Sequence, residues 1–269
     1  MIVVTGATGN VGRELVNTLA AAGEQVTAVS RQPAEFAEGV RHSQADLNDP
    51  TSLRPALAGA DALFLLVAGD DPHGILKEAA NVKRIVLLSS QGAGTRPEVY
   101  RHPALFEQVV RESGLDFTIL RPGGFASNAY AWAESVRTRR TAAAPFGDVG
   151  LPTIDPADIA EVAAAVLRES GHSGRTYELT GPVLVTPRER AAALSRALGE
   201  PVRFVEQTRE EARAQMLQVM PEPVVEGTLA ILGAPTAVER TVSSDVERIL
   251  GRAPRTFEEW AARNLAAFR

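Results

Sequence analysis

The chain begins with a short apolar run that is followed at once by regularly spaced glycines. Met1–Val4 is apolar throughout, and the next eight residues read TGATGNVG, with glycines at positions 6, 9 and 12. A helical pattern then covers Val11–Ala22. Glycines at this spacing, between a buried strand and a helix, allow a tight turn and a close approach of the backbone to a pyrophosphate. The motif predicts an anion-binding loop at the start of a helix.

Short apolar runs alternate with helical patterns over the first two-thirds of the chain, as in parallel βαβ units. Runs such as Ala62–Val67 are apolar throughout, which suits strands that are covered on both faces. The sequence therefore predicts an α/β fold with a doubly wound parallel sheet. The predicted strands are Ile2–Val4, Gln25–Val29, Val40–Gln44, Ala62–Val67, Arg84–Ser89 and Asp116–Leu120. The predicted helices between them are Val11–Ala22, Pro50–Ala58, Ile75–Ala80 and Pro103–Ser113.

The pattern loosens beyond Leu120. The predicted helices there are Ser127–Val136, Pro156–Arg168, Pro187–Gly199, 207–250 with interruptions at three prolines, and Phe257–Phe268. Thr176–Leu179 and Val202–Val205 are predicted to be extended, and Ala142–Asp148 is predicted to be a loop. We expect the segments that leave the βα alternation to form a small lobe over the carboxyl ends of the strands, where ligands bind in open α/β sheets.

The composition of the chain limits the kinds of molecule that it is expected to bind. A net charge of −5 without a basic block argues against a nucleic-acid surface. No apolar run approaches the roughly 20 residues of a membrane span, and the chain starts on a strand and not on a basic leader, so we expect a cytoplasmic protein. The absence of cysteine excludes thiolate chemistry, and the four histidines lack metal-site spacing, so we expect no metal. Small molecules are the expected partners, bound by a monomer or homodimer.

The end of the second predicted strand bears on cofactor choice. In NAD-selective proteins of this type an acidic residue there binds the ribose 2′-hydroxyl, but this chain reads Val29-Ser30-Arg31-Gln32. Arg31 can pair with a 2′-phosphate, with Ser30 adding a hydroxyl. The alternative is that Arg31 is a solvated loop cation. Its position, about 20 residues beyond the last glycine, favours the phosphate role and hence NADP(H).

Two further strand ends supply candidate cofactor contacts. Asp46 can accept from the adenine amino group while Leu47 packs on the ring, although Asp46 could equally cap a helix before Pro50. Val67-Ala68-Gly69 follows the fourth strand with small residues that would let the backbone approach the cofactor ribose.

Together these segments resemble the NmrA-like atypical group of the short-chain dehydrogenase/reductase (SDR) superfamily. The matching segments are Thr5–Gly12, Ser30-Arg31, Asp46-Leu47, Leu87–Ser90, Glu107, Ser113–Gly123, Asn128 and Ile154–Ala160. The resemblance implies a Rossmann-type sheet, NADP(H) binding and a pocket bounded by the turns after the fifth and sixth strands and by the C-terminal segment. We accordingly expect one Rossmann-like unit over 1–269, with an NADP-binding core over about 1–125 and a mixed segment over about 126–269 that holds the substrate lobe and late sheet elements.

The chain departs from the wider superfamily at its proton relay. Typical members carry a Tyr-x-x-x-Lys pair after the fifth strand, but here both lysines, Lys77 and Lys83, precede every tyrosine. A ketone becomes a strongly basic alkoxide on reduction, whereas a quinone becomes a less basic phenolate. We therefore predict an NADP(H)-dependent oxidoreductase that acts on a small hydrophobic or aromatic quinone or activated carbonyl compound. The alternative is a redox sensor that binds NADP(H) without catalysis, as some members of the group do.

The candidate catalytic groups are Ser90, Tyr100 and His102, at the end of the fifth strand and before the next helix. Each has a structural alternative: Ser90 as a strand-end turn residue, and Tyr100 and His102 as residues near a helix cap. The sixth predicted strand leads into Pro122, Gly123 and Phe125, which would lie beside the nicotinamide, and Phe125 could line a pocket or belong to the core. The predicted cofactor-binding residues are Gly6, Thr8, Gly9, Asn10, Val11, Gly12, Ser30, Arg31, Asp46, Leu47, Val67, Ala68, Gly69, Ser89, Pro122, Gly123 and Phe125.

Overall fold

A parallel seven-stranded sheet forms the centre of the molecule in a computed structural model that describes residues 1–269. Its strands are β1 (Ile2–Val4), β2 (Val26–Ser30), β3 (Arg41–Gln44), β4 (Ala62–Leu66), β5 (Arg84–Leu88), β6 (Asp116–Pro122) and β8 (Arg175–Leu179). The spatial order is β3-β2-β1-β4-β5-β6-β8, and every neighbouring pair is parallel. The order reverses beside β1, so a ligand-binding crevice is expected at the carboxyl ends of β1 and β4.

Helices cover both faces of this sheet. They are α1 (Asn10–Ala21), α2 (Arg54–Leu57), α3 (Pro72–Glu78), α4 (Gln91–Thr95), α5 (Arg101–Glu112), α6 (Ala133–Arg139), α7 (Pro156–Arg168), α8 (Pro187–Leu198), α9 (Arg209–Met216), α10 (Glu222–Gly233), α11 (Asp245–Leu250) and α12 (Phe257–Arg263). Short 3₁₀ helices cover Pro50–Leu53, Ala126–Trp132 and Leu265–Phe268. None of the helices combines the length and apolar character required to cross a bilayer.

Two hydrophobic cores lie on opposite faces of the sheet, as the uniformly apolar strands predict. Phe64 of β4 packs into the core beneath α1, α7 and α11, whereas its neighbours Leu63 and Leu65 pack into the core beneath α2, α3 and α5. Successive strand residues point to opposite faces, so a strand buried on both sides has no polar face. The predicted Rossmann-type α/β fold is confirmed, and each strand predicted before Leu120 is present.

The second half of the chain departs from the prediction in two places. The predicted loop at Ala142–Asp148 is wrong over its first part, because Thr141–Pro145 forms strand β7 and pairs in parallel with β9 (Arg203–Gln207). The helical segment predicted over 207–250, with interruptions at Pro221, Pro223 and Pro235, is less helical than predicted: α9, α10 and α11 are separate helices, and residues 234–244 around Pro235 are not helical. A third core joins β7 to α8 and α12, with Trp132 and Trp260 among its buried members.

Candidate functional site

The glycine-rich loop joins β1 to α1 with very little space between its backbone segments. A Cβ atom on Gly12 would lie 2.1 Å from the carbonyl oxygen of Gly6, so no larger residue fits there without moving the loop. Helix α1 has Gly9 as its N-cap and no side chain that accepts from its first turn. The N–H groups at this helix end are therefore available to an anion, and the positive end of the helix dipole favours one.

A cavity of about 330 Å³ extends from this loop to the ends of β2 and β3. It is lined by predicted cofactor residues, together with Thr5, Val29, Ala45, Asn48 and Leu66; the predicted ones are Gly6, Thr8, Gly9, Ser30, Arg31, Asp46, Leu47, Ala68 and Gly69. The remaining predicted cofactor residues do not line it: Asn10, Val11, Gly12, Val67, Ser89, Pro122, Gly123 and Phe125. The cavity thus brings together the residues assigned to the adenosine half of a dinucleotide.

Arg31 and Ser30 occupy one end of this cavity in different ways. The Arg31 side chain is exposed and its guanidinium forms no hydrogen bond or ion pair within the protein, so it is free to bind an external anion. Ser30 is buried, and its hydroxyl donates to the carbonyl oxygen of Gln32 over 2.6 Å. His42 Nε2 lies 2.9 Å from the same hydroxyl. The Ser30 hydroxyl therefore stabilises the turn at Arg31 and Gln32. Arg31 is then the group that can donate to a phosphate.

The opposite wall of the cavity is formed by the ends of β3 and β4. Asp46 Oδ1 accepts from the backbone N–H of Asn48 over 2.9 Å. The alternative role of Asp46 as the cap before Pro50 is wrong, because Asp49 is the N-cap of that helix. Gly69 has a φ of +83°, and a Cβ there would lie 2.3 Å from the carbonyl oxygen of Leu47. The small residue at 69 is thus required for close packing against the Leu47 backbone.

A second cavity, of about 400 Å³, meets the glycine loop at Thr8 and Gly9 on the side of α7 and α12. Its other lining residues are Asn10, Arg13, Glu14, Ser127, Tyr130, Asp155, Pro156, Ala157, Trp260, Arg263 and Asn264. Asp155 caps α7 and also pairs with Arg263. Burial raises the pKa of Asp155 above its ordinary value, although its backbone and arginine partners oppose the shift. The C-terminal helix therefore borders the predicted pyrophosphate position.

The predicted catalytic residues lie beyond β5, each with a structural contact of its own. Ser90 is the N-cap of α4 and accepts from the Gly92 N–H over 3.2 Å. Tyr100 is the N-cap of α5, and its ring packs against Gly92, where a Cβ would lie 2.6 Å from the ring. The Tyr100 hydroxyl has no hydrogen-bond partner within the protein. His102 Nε2 lies 2.7 Å from the carbonyl oxygen of Gly69, which links α5 to the cofactor cavity.

The final group of predicted cofactor residues follows β6. The Gly123 N–H donates to the carbonyl oxygen of Leu179 over 3.0 Å, and Phe125 forms an isolated parallel bridge with Ile154. Phe125 is half-buried and packs against the core beneath α1 and α7. These contacts fix the turn after β6 beside the end of β8. Contact of these residues with a nicotinamide ring stays a prediction.

A buried charged network lies beneath the end of β5, and it joins Ser89, a predicted cofactor residue, to Glu107 and Arg121, for which the sequence predicts no role. The Ser89 hydroxyl donates to Glu107 Oε1 over 2.6 Å, and Arg121 donates to both oxygens of the same carboxylate, from Nε over 2.8 Å and from Nη2 over 2.7 Å. Burial raises the pKa of Glu107, but hydrogen bonds from Arg121 and Ser89 oppose it and leave the pKa below its ordinary value. The available signal was an acidic residue on the apolar face of α5, beside Phe106 and Val110.

Comparison with known proteins agrees with this geometry. Residues 6–170 match the model of a family described as NAD(P)H-binding. The chain is 37% identical to a (4-alkanoyl-5-oxo-2,5-dihydrofuran-3-yl)methyl phosphate reductase of Streptomyces griseus and 34% identical to an NAD(P)H azoreductase of Xenophilus azovorans. Each match covers 100% of this chain and 99% of the relative.

A solved structure shares the whole architecture. The NADPH complex of an NADPH-dependent quinone oxidoreductase from Escherichia coli superimposes with a TM-score of 0.82 and 27% identity. The match covers 98% of this chain and 100% of the other. The predicted NmrA-like atypical SDR resemblance is thereby confirmed, as is the predicted enzyme class. The chain belongs to the NAD(P)H-binding family and is an NAD(P)H-dependent oxidoreductase.

Proposed function

We propose that this chain is an NADPH-dependent reductase whose acceptor is a quinone or another activated, conjugated carbonyl compound. The observation that carries the proposal is the absence of a Tyr-x-x-x-Lys pair. Lys83 directly precedes β5 and pairs with Asp61 over 2.7 Å. Lys83 therefore lies at the amino end of β5, whereas Ser89 and Ser90 follow its carboxyl end. Each residue of the strand adds about 3.3 Å to the distance between Lys83 and these serines.

The loss of the relay limits the acceptors that the site can reduce. NADPH supplies the hydride, and the acceptor oxygen must then carry negative charge until a proton arrives. A positioned acid contributes about a hundredfold or more to such a step. A phenolate product is weakly basic and leaves the site without that help, whereas an alkoxide does not. The missing lysine therefore favours quinones over simple ketones.

The remaining polar groups near the end of β5 fit a modest role in charge stabilisation. The free Tyr100 hydroxyl can donate to an acceptor oxygen, as can the side chain of Gln91, whose Oε1 lies 3.7 Å from a Cβ built on Gly123. His102 is less suited to acid catalysis, because its Nε2 is engaged by the Gly69 carbonyl. A donor that stabilises charge without complete proton transfer is sufficient for a quinone.

Relatives support an acceptor of this chemical class. The names of these reductases refer to azo compounds, to quinones and to an oxo-dihydrofuran that bears an alkanoyl group. These acceptors share electron-poor unsaturated groups. The preference for NADPH over NADH rests on Arg31, the unpaired cation at the cavity, and on the absence of a carboxylate at the end of β2.

A panel of acceptors tests the proposal. Purified protein and NADPH are mixed with benzoquinones, naphthoquinones, aromatic ketones and unactivated alkyl ketones, and NADPH oxidation is followed by absorbance. We expect turnover with the quinones and none above background with the alkyl ketones. Turnover of alkyl ketones at the rate of quinones would contradict the acceptor class. NADPH binding without turnover of any acceptor would instead support the redox-sensor alternative.

A further inference from the structure

The donor and acceptor roles in the network around Ser89 are fixed by its chemistry. An ionised carboxylate only accepts hydrogen bonds, and a serine hydroxyl has a single proton. Two donors of the Arg121 guanidinium bind the two oxygens of Glu107, an arrangement that stabilises the ionised carboxylate. Ser89 must therefore donate its proton to Glu107 over the 2.6 Å contact. Because this proton is already donated, the Ser89 oxygen can bind a ligand only as a hydrogen-bond acceptor, through its lone pairs.

The network is also held in place from several sides. Arg121 Nη1 lies 3.3 Å from Glu178 Oε1. A Cβ built on Gly94 of α4 would lie 2.4 Å from the same Nη1 atom, so α4 packs directly on the guanidinium. Glu107 and Ser89 are 4% and 8% exposed, which leaves little access for competing water. The hydroxyl of Ser89 cannot turn away from Glu107 without losing a charge-assisted hydrogen bond.

We propose that the Glu107–Arg121 pair is a positioning device that holds the Ser89 hydroxyl as a hydrogen-bond acceptor for an N–H group of the nicotinamide carboxamide. The inference rests on the proposed function, because it assumes that the nicotinamide end of the cofactor reaches the end of β5. An acceptor at a fixed position selects one orientation of the carboxamide and of the ring that bears it. Glu107 acts through Ser89, and Ser89 is removed from the possible proton donors of the reaction.

A cofactor analogue isolates this hydrogen bond. In the 3-acetylpyridine analogue of NADP⁺ a methyl group replaces the amide nitrogen, so no N–H donor is present. Dissociation constants of NADP⁺ and of the analogue are measured by displacement of bound NADPH, followed by its fluorescence, for the wild-type protein and for Ser89→Ala. We expect Ser89→Ala to weaken NADP⁺ by roughly 2- to 10-fold, the range of one hydrogen bond. Binding of the analogue should not change.

The positioning role of Glu107 is tested by a double-mutant cycle with Glu107→Gln. If Glu107 acts through Ser89, the loss caused by Ser89→Ala should largely disappear in the Glu107→Gln background, because the losses of coupled residues do not add. Thermal unfolding checks that each variant is folded. Should Glu107→Gln fail to fold, the Ser89→Ala comparison still decides the acceptor role, since that variant retains the Glu107–Arg121 pair.

Ser113→Ala is the matched control. Ser113 follows the same helix α5, and its hydroxyl donates to the carbonyl oxygen of Val110 over 2.7 Å. Its removal should change neither dissociation constant. Equal weakening of NADP⁺ and of the analogue by Ser89→Ala, or no weakening of either, would overturn the proposal while leaving the reductase function intact. A wild-type protein that does not bind NADPH would overturn the proposed function itself.

Discussion

Most residues of the candidate site lie at or near the ends of strands. The roles of some of them can be predicted from the sequence, and the roles of others cannot. Arg31 was predicted because its distance from the glycines and its position after a strand are both visible in the sequence. Glu107 was not given a role, because its partners Ser89 and Arg121 lie 18 and 14 residues away and meet it only in the folded sheet. Contacts within one βα turn can be predicted from the sequence, whereas contacts between neighbouring strands become visible only in the folded structure.

Replacing Arg31 by alanine should weaken NADPH binding far more than NADH binding. A hydrogen bond to a charged group contributes about 1.5–3 kcal/mol, and NADH lacks the 2′-phosphate that would accept it. The measurement is the dissociation constant of each cofactor by fluorescence titration. Arg139→Ala, which removes another exposed arginine at the end of α6, should leave both constants unchanged. An unchanged NADPH-to-NADH ratio in Arg31→Ala would show that the phosphate binds elsewhere.

Gly69 and Gly59 form a matched pair for testing the cavity wall. Both have a positive φ, +83° and +76°, so alanine strains the backbone at either position by about 1–2 kcal/mol. Only at Gly69 would the new Cβ also collide with a backbone atom, the Leu47 carbonyl oxygen. We expect Gly69→Ala to unfold at a clearly lower temperature than Gly59→Ala and to bind NADPH more weakly. Equal effects in thermal unfolding and titration would contradict this packing role.

At the scale of elements, the strands of the main sheet were predictable and the smaller sheet was not. Strands β4 and β5 read Ala-Leu-Phe-Leu-Leu and Arg-Ile-Val-Leu-Leu, and such runs of bulky apolar residues are typical of buried strands. Strand β7 reads Thr-Ala-Ala-Ala-Pro, a composition with low strand propensity, and its partner β9 lies about 60 residues away. Tertiary pairing thus overrides local preference there. The segment between α10 and α11 contains Pro235, at which an interruption was predicted, and its Glu239 forms an ion pair with Arg96 that the sequence does not reveal.

That ion pair connects the segment after α4 to the C-terminal part of the chain. Arg96 Nε lies 2.7 Å from Glu239 Oε1, and the Glu239 side chain is fully buried. The hydrogen bond from Arg96 is the main cause that lowers the pKa of Glu239 from 4.5 to about 2. Because the pKa is lower in the folded state, the stabilisation is present above pH 4.5 and is lost as the pH falls toward 2.

Glu239→Gln should therefore destabilise the protein at neutral pH by about 1.5–3 kcal/mol. The variant should also lose less stability than the wild type between pH 4.5 and 2, the interval over which Glu239 takes up its proton. Denaturant unfolding at a series of pH values measures both effects. Glu258→Gln, which removes an exposed partner of Arg196, should cause a smaller loss. A Glu239→Gln variant with the same pH dependence as the wild type would contradict this role.

The whole molecule combines a common cofactor fold with a site that lacks the common proton relay. The sequence was sufficient to predict the Rossmann-type sheet, the glycine loop and the cavity that contains Arg31, because each depends on local pattern. The packing of Tyr100 against α10, where a Cβ on Gly227 would lie 3.6 Å from the Tyr100 ring, could not be predicted, since these residues come from distant parts of the chain and no spacing rule connects them. Hydride transfer to a quinone is the reaction that we propose for this site.

A single turnover without oxygen tests that claim most directly. The protein is loaded with NADPH, mixed with a stoichiometric amount of a naphthoquinone, and followed by NADPH absorbance while the hydroquinone is quantified by chromatography. We predict loss of one NADPH for each hydroquinone formed, at a rate well above that of the same mixture without protein. Bound NADPH that stays reduced in the presence of the quinone would contradict the account.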